Sequence, residues 1–215
     1  MQPPILFADA RYVVLDKPPG LAVHPGPRGG ASVEDWFPLL SRRRDGPWLA
    51  HRLDADTSGC LVVALRKTAL IAAQRAFAQG RAHKTYWAVT RGVPRQAGGV
   101  VTQPLRRVSD PSGWRMVADP GGDRAITDWR VLGHAGGMAW LELHPRQGRT
   151  HQIRVHCAAL GCPIVGDAVY GGDGRAPLHL LARAIMLPVE PPLSATASPP
   201  AHMRGILRDC GWMID

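Results

Sequence analysis

The segment HRLDADTSG, His51 to Gly59, puts two carboxylates, Asp54 and Asp56, in a polar stretch that runs straight into the apolar CLVVAL of Cys60 to Leu65. Catalytic side chains collect on loops beside rigid strands, because the strand fixes the loop's ends while its side chains stay reachable. A carboxylate at Asp54 can attack an electrophilic carbon or accept a proton, and either role needs it ionised. Thr57, Ser58 and Gly59 read as a tight turn that fixes its backbone. Spacing alone rather favours a second reading, in which Asp54 and Asp56 merely cap or turn the chain.

A second segment, HPRQGRTHQIRVH from His144 to His156, carries Arg146, Arg149 and Arg154 and no acid. Thr150 reads as the N-cap of a helix over His151 to Leu160, with Gly161 just past its end. First-turn N–H groups and the helix dipole add positive potential there. Ile153, Cys157 and Leu160 recur at helical spacing and face a core, with Arg154 and Ala158 on the adjacent stripe. An arginine at a core boundary needs a carboxylate partner, and Asp54 is a natural candidate. An arginine within about 4–6 Å lowers a carboxyl pKa by roughly 1–3 units, which would keep Asp54 charged.

The elements that must position these groups follow from local pattern. Ile5 to Ala8 and Tyr12 to Leu15 read as strands, and KPPG from Lys17 to Gly20 as a turn. Ser32 to Asp35 resembles a capping box opening a short helix that Pro38 ends. Cys60 to Leu65 reads as a buried strand, Thr68 to Gln79 as a helix closed by Gly80, and Lys84 to Thr90 as a strand. Gly98 to Arg124 reads as a loop-rich basic insertion carrying Arg106, Arg107, Arg115 and Arg124. Thr127 to Leu132 and Met138 to Leu143 form a strand pair around Gly136 and Gly137, Leu178 to Leu187 is a further apolar segment, and Pro191 to Pro200 reads as irregular. Strands with few helices predict an α+β fold built on a mixed, largely antiparallel sheet.

Composition narrows the partner. Lys plus Arg number 26 against 17 Asp plus Glu, a formal net charge of +9 over 215 residues. The only lysines are Lys17, Lys67 and Lys84, so the charge is mostly guanidinium, whose fixed fork suits phosphate. A basic domain points to nucleic acid, although a genome that favours arginine codons gives the same excess. Cys60, Cys157, Cys162 and Cys210 form no C-x-x-C and read as buried, reduced thiols. The N-terminus lacks a secretory pattern and no apolar run has spanning length, so a soluble, cytoplasmic protein without membrane contact is expected. His151 and His156 lie five apart, off a shared helix face, which argues against a zinc pair and a metal-dependent hydrolase. No metal is expected.

HRLDADTSG resembles the catalytic motif of the RluA family of pseudouridine synthases, whose nucleophilic aspartate falls on Asp54. The likeness covers nearly the whole chain. ILFADARYVVLDKPPGLAVHPG is similar to the family's opening segment. HKTYWAV is similar to its Lys-x-Tyr motif and implies an active-site tyrosine at Tyr86. GRTHQIRVHCAALGCPIVGD is similar to its third motif and implies a pocket arginine at Arg154. One departure stands near the C-terminus, where LLARAIML puts Leu181 in place of a family histidine. The resemblance implies a pseudouridine synthase fold: a long mixed sheet with flanking helices and a central catalytic cleft, here one catalytic domain over 1–215 without an S4 domain.

The implied reaction detaches uracil from the ribose anomeric carbon and rejoins it through a ring carbon, in a transfer RNA and/or the 23S ribosomal RNA. It transfers no electrons and no external group, so no cofactor is expected. The carboxylate attacks the anomeric carbon or removes a proton from the neighbouring sugar carbon; both routes stay open here. Beside the catalytic set Asp54, Tyr86 and Arg154, the expected RNA contacts are His51, Arg52, Lys84, Arg106, Arg107, Arg115, Arg149 and His151, on a monomer. The competing reading is a non-catalytic RNA-binding module or RNA chaperone on the same scaffold, which would have no use for Asp54, Tyr86 and Arg154 together.

Overall fold

A computed structural model describes residues 3–26, 29–43, 45–111, 113–171 and 174–213. It divides into two compact units, Met1–Lys84 with Leu181–Pro199, and Thr85–Leu180 with Pro200–Asp215.

In the first unit every residue of β4 (Ser58–Ala64) is buried, as a continuous apolar run requires. One edge of β4 pairs antiparallel with β2 (Tyr12–Lys17), from Tyr12 opposite Ala64 to Lys17 opposite Gly59. Its other edge is shared. β11 (Leu180–Leu187) runs parallel to its start at Ser58 and Gly59, and β3 (Trp48–Leu49) pairs antiparallel with its end at Ala64 and Val63. β1 (Ile5–Ala8) extends β2, and β12 (Leu193–Thr196) extends β11, both antiparallel. Helix α2 (Lys67–Ala78) buries Ala69, Ala73 and Ala76, and the Tyr12 hydroxyl donates to the Ala69 carbonyl at 2.8 Å. Small residues on that stripe let the helix lie close. Asp35 accepts the Ser32 N–H at 2.9 Å ahead of the short helix α1 (Phe37–Leu40). Pro38 sits in the first turn of α1 rather than ending a helix, since its missing N–H is an orphan there in any case.

In the second unit four antiparallel strands run in the order β5 (His83–Arg91), β10 (Met138–Pro145), β9 (Thr127–Ala135), β6 (Gly98–Val101). Gly136 and Gly137 have φ of 56° and 76°, the left-handed pair that a tight β9–β10 hairpin needs. Helix α3 (Gln152–Ala159) sends Ile153 and Cys157 into a core with Ala88, Trp129, Leu141 and Leu143. Helix α4 (Ala201–Asp209) ends against β9, where a Cβ at Gly133 would meet the Cys210 carbonyl oxygen at 1.8 Å. Only glycine fits there.

The α+β class and the mixed, largely antiparallel pairing agree with the sequence reading; β4 with β11 is a parallel pair. Two stretches differ. Gly98 to Arg124 is not mainly loop: it holds β6 and the hairpin of β7 (Leu105–Asp110) and β8 (Gly113–Ala118). Its hairpin buries only part of one face, and Arg106, Arg107 and Arg115 interrupt the apolar alternation. Pro191 to Pro200 is not irregular either. Leu193, Ala195 and Ala197 are buried and Ser194, Thr196 and Ser198 exposed, a period of two in small residues, and Pro200 caps α4. All four cysteines are free and buried. Among the described residues no helix is long and apolar enough to cross a membrane.

Candidate active site

The Asp54 segment is a turn held from below. Thr57 N–H donates to the Asp54 carbonyl at 3.1 Å, closing a turn that delivers the chain into β4. Thr57 and Ser58 are buried, and Gly59 has φ of 104° with its α-carbon so near β11 that a Cβ would stand 2.3 Å from the Ala182 carbonyl oxygen. Asp54 itself is partly exposed.

Lys17 is the residue that pins this turn. Its side chain is fully buried, and its ammonium donates to the carbonyls of Pro18 at 2.9 Å, Leu21 at 2.8 Å and Ala55 at 2.6 Å. Three protons thus meet three acceptors. Gly20 N–H adds a bond to the same Ala55 carbonyl at 2.9 Å. Burial lowers the Lys17 pKa to about 8, while the Asp56 and Asp54 carboxylates act against that fall. Charge from Lys17 therefore reaches the turn directly. From sequence KPPG reads only as a turn; the signal for Lys17 is a lysine ending a strand that is apolar apart from Asp16.

His51 works inside the first unit. Ala50 N–H donates to the Val62 carbonyl at 3.0 Å, and His51 Nε2 accepts the Val62 N–H at 3.0 Å, so the imidazole continues the ladder where β3 stops. Its ring lies 5.0 Å from that of Phe77. Burial, with the Lys84 charge behind it, lowers the His51 pKa to about 4. Lys84 is itself lowered to about 8 by burial. Arg52 is exposed.

Arg154 belongs to the second unit and is gripped there. Its Nε and Nη2 donate to Asp167 Oδ2 and Oδ1, each at 2.8 Å, with side chains 7% and 0% exposed. Asp167 Oδ1 also accepts the N–H groups of Val169 at 3.0 Å and Tyr170 at 3.1 Å. Burial raises the Asp167 pKa, but the Arg154 bonds and charge and these two N–H donors outweigh it and hold the carboxyl below its usual range. The sequence offers Asp54 as a carboxylate for Arg154; the partner within the second unit is Asp167, which ends the GCPIVGD stretch as a lone acid among apolar residues. Tyr86 lies on β5 opposite Leu143 and packs against the core of the second unit.

The remaining basic residues sit around α3. The helix is capped by His151, one residue later than Thr150, because His151 takes a left-handed backbone, φ 54° and ψ 16°. A left-handed residue other than glycine costs roughly 1–2 kcal/mol, so its surroundings must hold it. His151 Nδ1 bonds the Tyr170 hydroxyl at 2.8 Å, and its ring stacks on Trp114 at 5.2 Å. On the β7–β8 hairpin Arg107 lies over Trp114 at 4.7 Å, Arg106 pairs with Asp119 at 2.5 Å, and Arg115 pairs with Asp110 at 3.2 Å. Arg149 reaches Asp123 at 3.5 Å and the Arg124 carbonyl at 3.3 Å. Among the described residues no group of three or more His, Cys, Asp or Glu side chains is placed to hold a metal ion.

The family model described as RNA pseudouridylate synthase matches residues 11–159, a span that includes Asp54, Tyr86 and Arg154. An uncharacterized RNA pseudouridine synthase of Zymomonas mobilis is 41% identical over 204 residues, covering 91% of this chain and 93% of its own. An uncharacterized RNA pseudouridine synthase of Bacillus subtilis is 32% identical over 215 residues, covering 95% and 71%. The solved structure of human RNA pseudouridylate synthase domain containing 4 superposes with a TM-score of 0.80 at 30% identity, covering 96% of this chain and 92% of that one. The chain belongs to the RNA pseudouridylate synthase family, enzymes that isomerise uridine in RNA.

Proposed function

We propose that the chain converts uridine to pseudouridine at a specific site in a structured RNA, a transfer RNA and/or the large-subunit ribosomal RNA, with Asp54 as the catalytic carboxylate. The observation that carries this reading is the pinned turn. A carboxylate on a turn whose backbone is pinned by a buried ammonium at the Ala55 carbonyl and closed by the Thr57 N–H keeps its position while the substrate is remade around it, which is the condition for an effective intramolecular reaction.

The reaction is an isomerisation. The bond from the anomeric carbon to the ring nitrogen breaks, a bond to a ring carbon forms, that carbon loses a proton and the freed nitrogen gains one. Asp54 acts at the sugar. Arg154 is the pocket arginine of the catalytic set. Tyr86 lies against the uracil and places its hydroxyl for proton transfer. A uridine in a stem or loop must leave its stack, which costs a few kcal/mol, and phosphate contacts offset this. Arg106, Arg107, Arg115, Arg149 and His151 supply those contacts from the second unit, and Arg52 and Lys84 from the first, where the His51 ring is instead engaged by the Val62 N–H. The exposed Arg106–Asp119 and Arg115–Asp110 pairs are of the kind that contributes little to stability and exchanges readily for a phosphate. The enzyme acts as a cytoplasmic monomer.

The test is Asp54→Asn. Pseudouridine is mapped in cellular RNA from cells with the gene, without it, and with the variant. The site present with the wild-type gene is expected to vanish in both other strains, while the purified variant still binds the RNA. Modification at the wild-type level by Asp54→Asn sinks the assignment and favours the non-catalytic RNA-binding reading.

A further inference from the structure

We infer that Tyr170 is a positioning residue that fastens the arginine-bearing hairpin β7–β8 to the helix carrying Arg154, so that RNA docking and the catalytic guanidinium share one anchor. The inference rests on the roles given above to Arg154 and the hairpin arginines, and it adds a residue that neither composition nor motif singled out.

Tyr170 meets both partners with different parts of one side chain. Its backbone N–H donates to Asp167 Oδ1 at 3.1 Å, and its ring lies 5.1 Å from the Arg154 guanidinium carbon. The guanidinium is therefore held at its edge by a carboxylate and on its face by an aromatic ring. The hydroxyl turns the other way. It accepts the Met116 N–H of β8 at 2.9 Å and bonds His151 Nδ1 at 2.8 Å. The oxygen has a second acceptor site and a proton, so the direction of the bond to Nδ1 follows the His151 tautomer.

The hairpin lies on this hydroxyl. Met116 stands opposite Arg107 in the β7–β8 register, and Trp114 is two residues along on the same face, stacked on His151. Beneath them is a small core of Leu105, Met116, Ala125 and Val155, with Tyr170 packed against it. A core that small holds a two-stranded ribbon weakly, because such ribbons are marginal by themselves. The hydroxyl supplies a fixed polar link from β8 to the N-terminus of α3. Arg107 over Trp114 and the left-handed His151 are placed by the same contact.

Two substitutions separate the two ends of the side chain. Tyr170→Phe keeps the ring over Arg154 and deletes the hydroxyl. Measured on an RNA transcript that the wild-type enzyme modifies, it is expected to raise KM about tenfold, the loss of one hydrogen-bonded anchor, with kcat within about twofold of wild type. The slope of log affinity against log salt is expected to shrink by about one phosphate contact, 0.7 to 0.9, as the hairpin arginines lose register. Tyr170→Leu removes the ring as well and is expected to lower kcat at least about tenfold further. Wild-type KM and salt slope in Tyr170→Phe overturn the inference, as does an equal fall of kcat in both variants. If Tyr170→Leu does not fold, Tyr170→Phe decides alone. Asp54→Asn on the same transcript keeps the two ideas apart: its retention of turnover would remove the catalytic reading, while the binding data on Tyr170→Phe stand by themselves.

Discussion

Replacing Asp167 by Asn tests how firmly Arg154 is held. The pair is dry, with side chains 7% and 0% exposed, and both bonds are 2.8 Å long. Asn keeps an oxygen for the Val169 and Tyr170 N–H groups and for Arg154 Nη2. In place of Oδ2, however, it presents an amide NH2 to the Nε–H, donor against donor. The guanidinium stays buried with half its carboxylate contact gone, and breaking a buried pair in this way costs about 3–5 kcal/mol. An exposed pair would cost at most about 1 kcal/mol. For a chain of 215 residues, with roughly 2–4 °C per kcal/mol, the midpoint of melting should fall by roughly 6–20 °C. Urea unfolding followed by the fluorescence of the seven tryptophans gives the free energy, with an unchanged slope confirming that only stability moved. Arg154→Met and the double variant complete a cycle, and the double variant should be less damaged than the sum of the singles by at least about 2 kcal/mol. At a temperature where Asp167→Asn remains folded, turnover should be about 100-fold down, because a guanidinium displaced by an ångström no longer faces its target. A loss below about 1 kcal/mol, or strict additivity in the cycle, would refute the reasoning.

Two further outcomes are expected. Lys17→Met leaves the carbonyls of Pro18, Leu21 and Ala55 without their donor and should destabilise the chain by about 3 kcal/mol while abolishing turnover at temperatures where it stays folded; a melting midpoint and rate near wild type would show that the ammonium does not hold the turn. Acid should weaken the fold earlier than carboxylates alone would. His51 moves from an ordinary 6.5 in the unfolded chain to about 4 in the folded one, so the unfolded chain takes up the proton first as pH falls. The stability that the neutral ring provides is complete above about pH 6.5 and is lost towards pH 4, a change of roughly 2–3 kcal/mol, and His156 and His179 shift in the same direction. Thermal melts from pH 8 to pH 4 should show this slope, and a flat profile across that window would exclude it.

Much of the architecture was readable from residue types because the relevant signals are local. The all-apolar CLVVAL became a strand buried on both faces, the alanine stripe of α2 faced inward, and paired glycines closed β9 to β10. The misreadings have physical causes. Prolines beside β12 and α4 make Pro191 to Pro200 read as irregular, although they flank those elements and leave their interiors intact. Arginines on β7 and β8 hid a ribbon with one partly buried face. At the site, resemblance to the family's motifs implies Asp54, Tyr86 and Arg154, yet Lys17, Asp167 and Tyr170 come only with coordinates. Their roles depend on contacts such as the 38-residue step from Lys17 to Ala55 and the 13-residue step from Arg154 to Asp167, which no local pattern encodes.

The first unit is discontinuous in sequence: it closes only when Leu181–Pro199 follows the intervening second unit. During synthesis β4 therefore emerges with β2 on one edge while the start of its other edge waits for β11. That strand is buried along its whole length, and an unpaired apolar edge is a template for wrong partners. Nascent chains stalled before residue 181 should thus hold the Asp54 turn on an unfinished sheet, and chaperone demand during translation should be greatest while the second unit is being made.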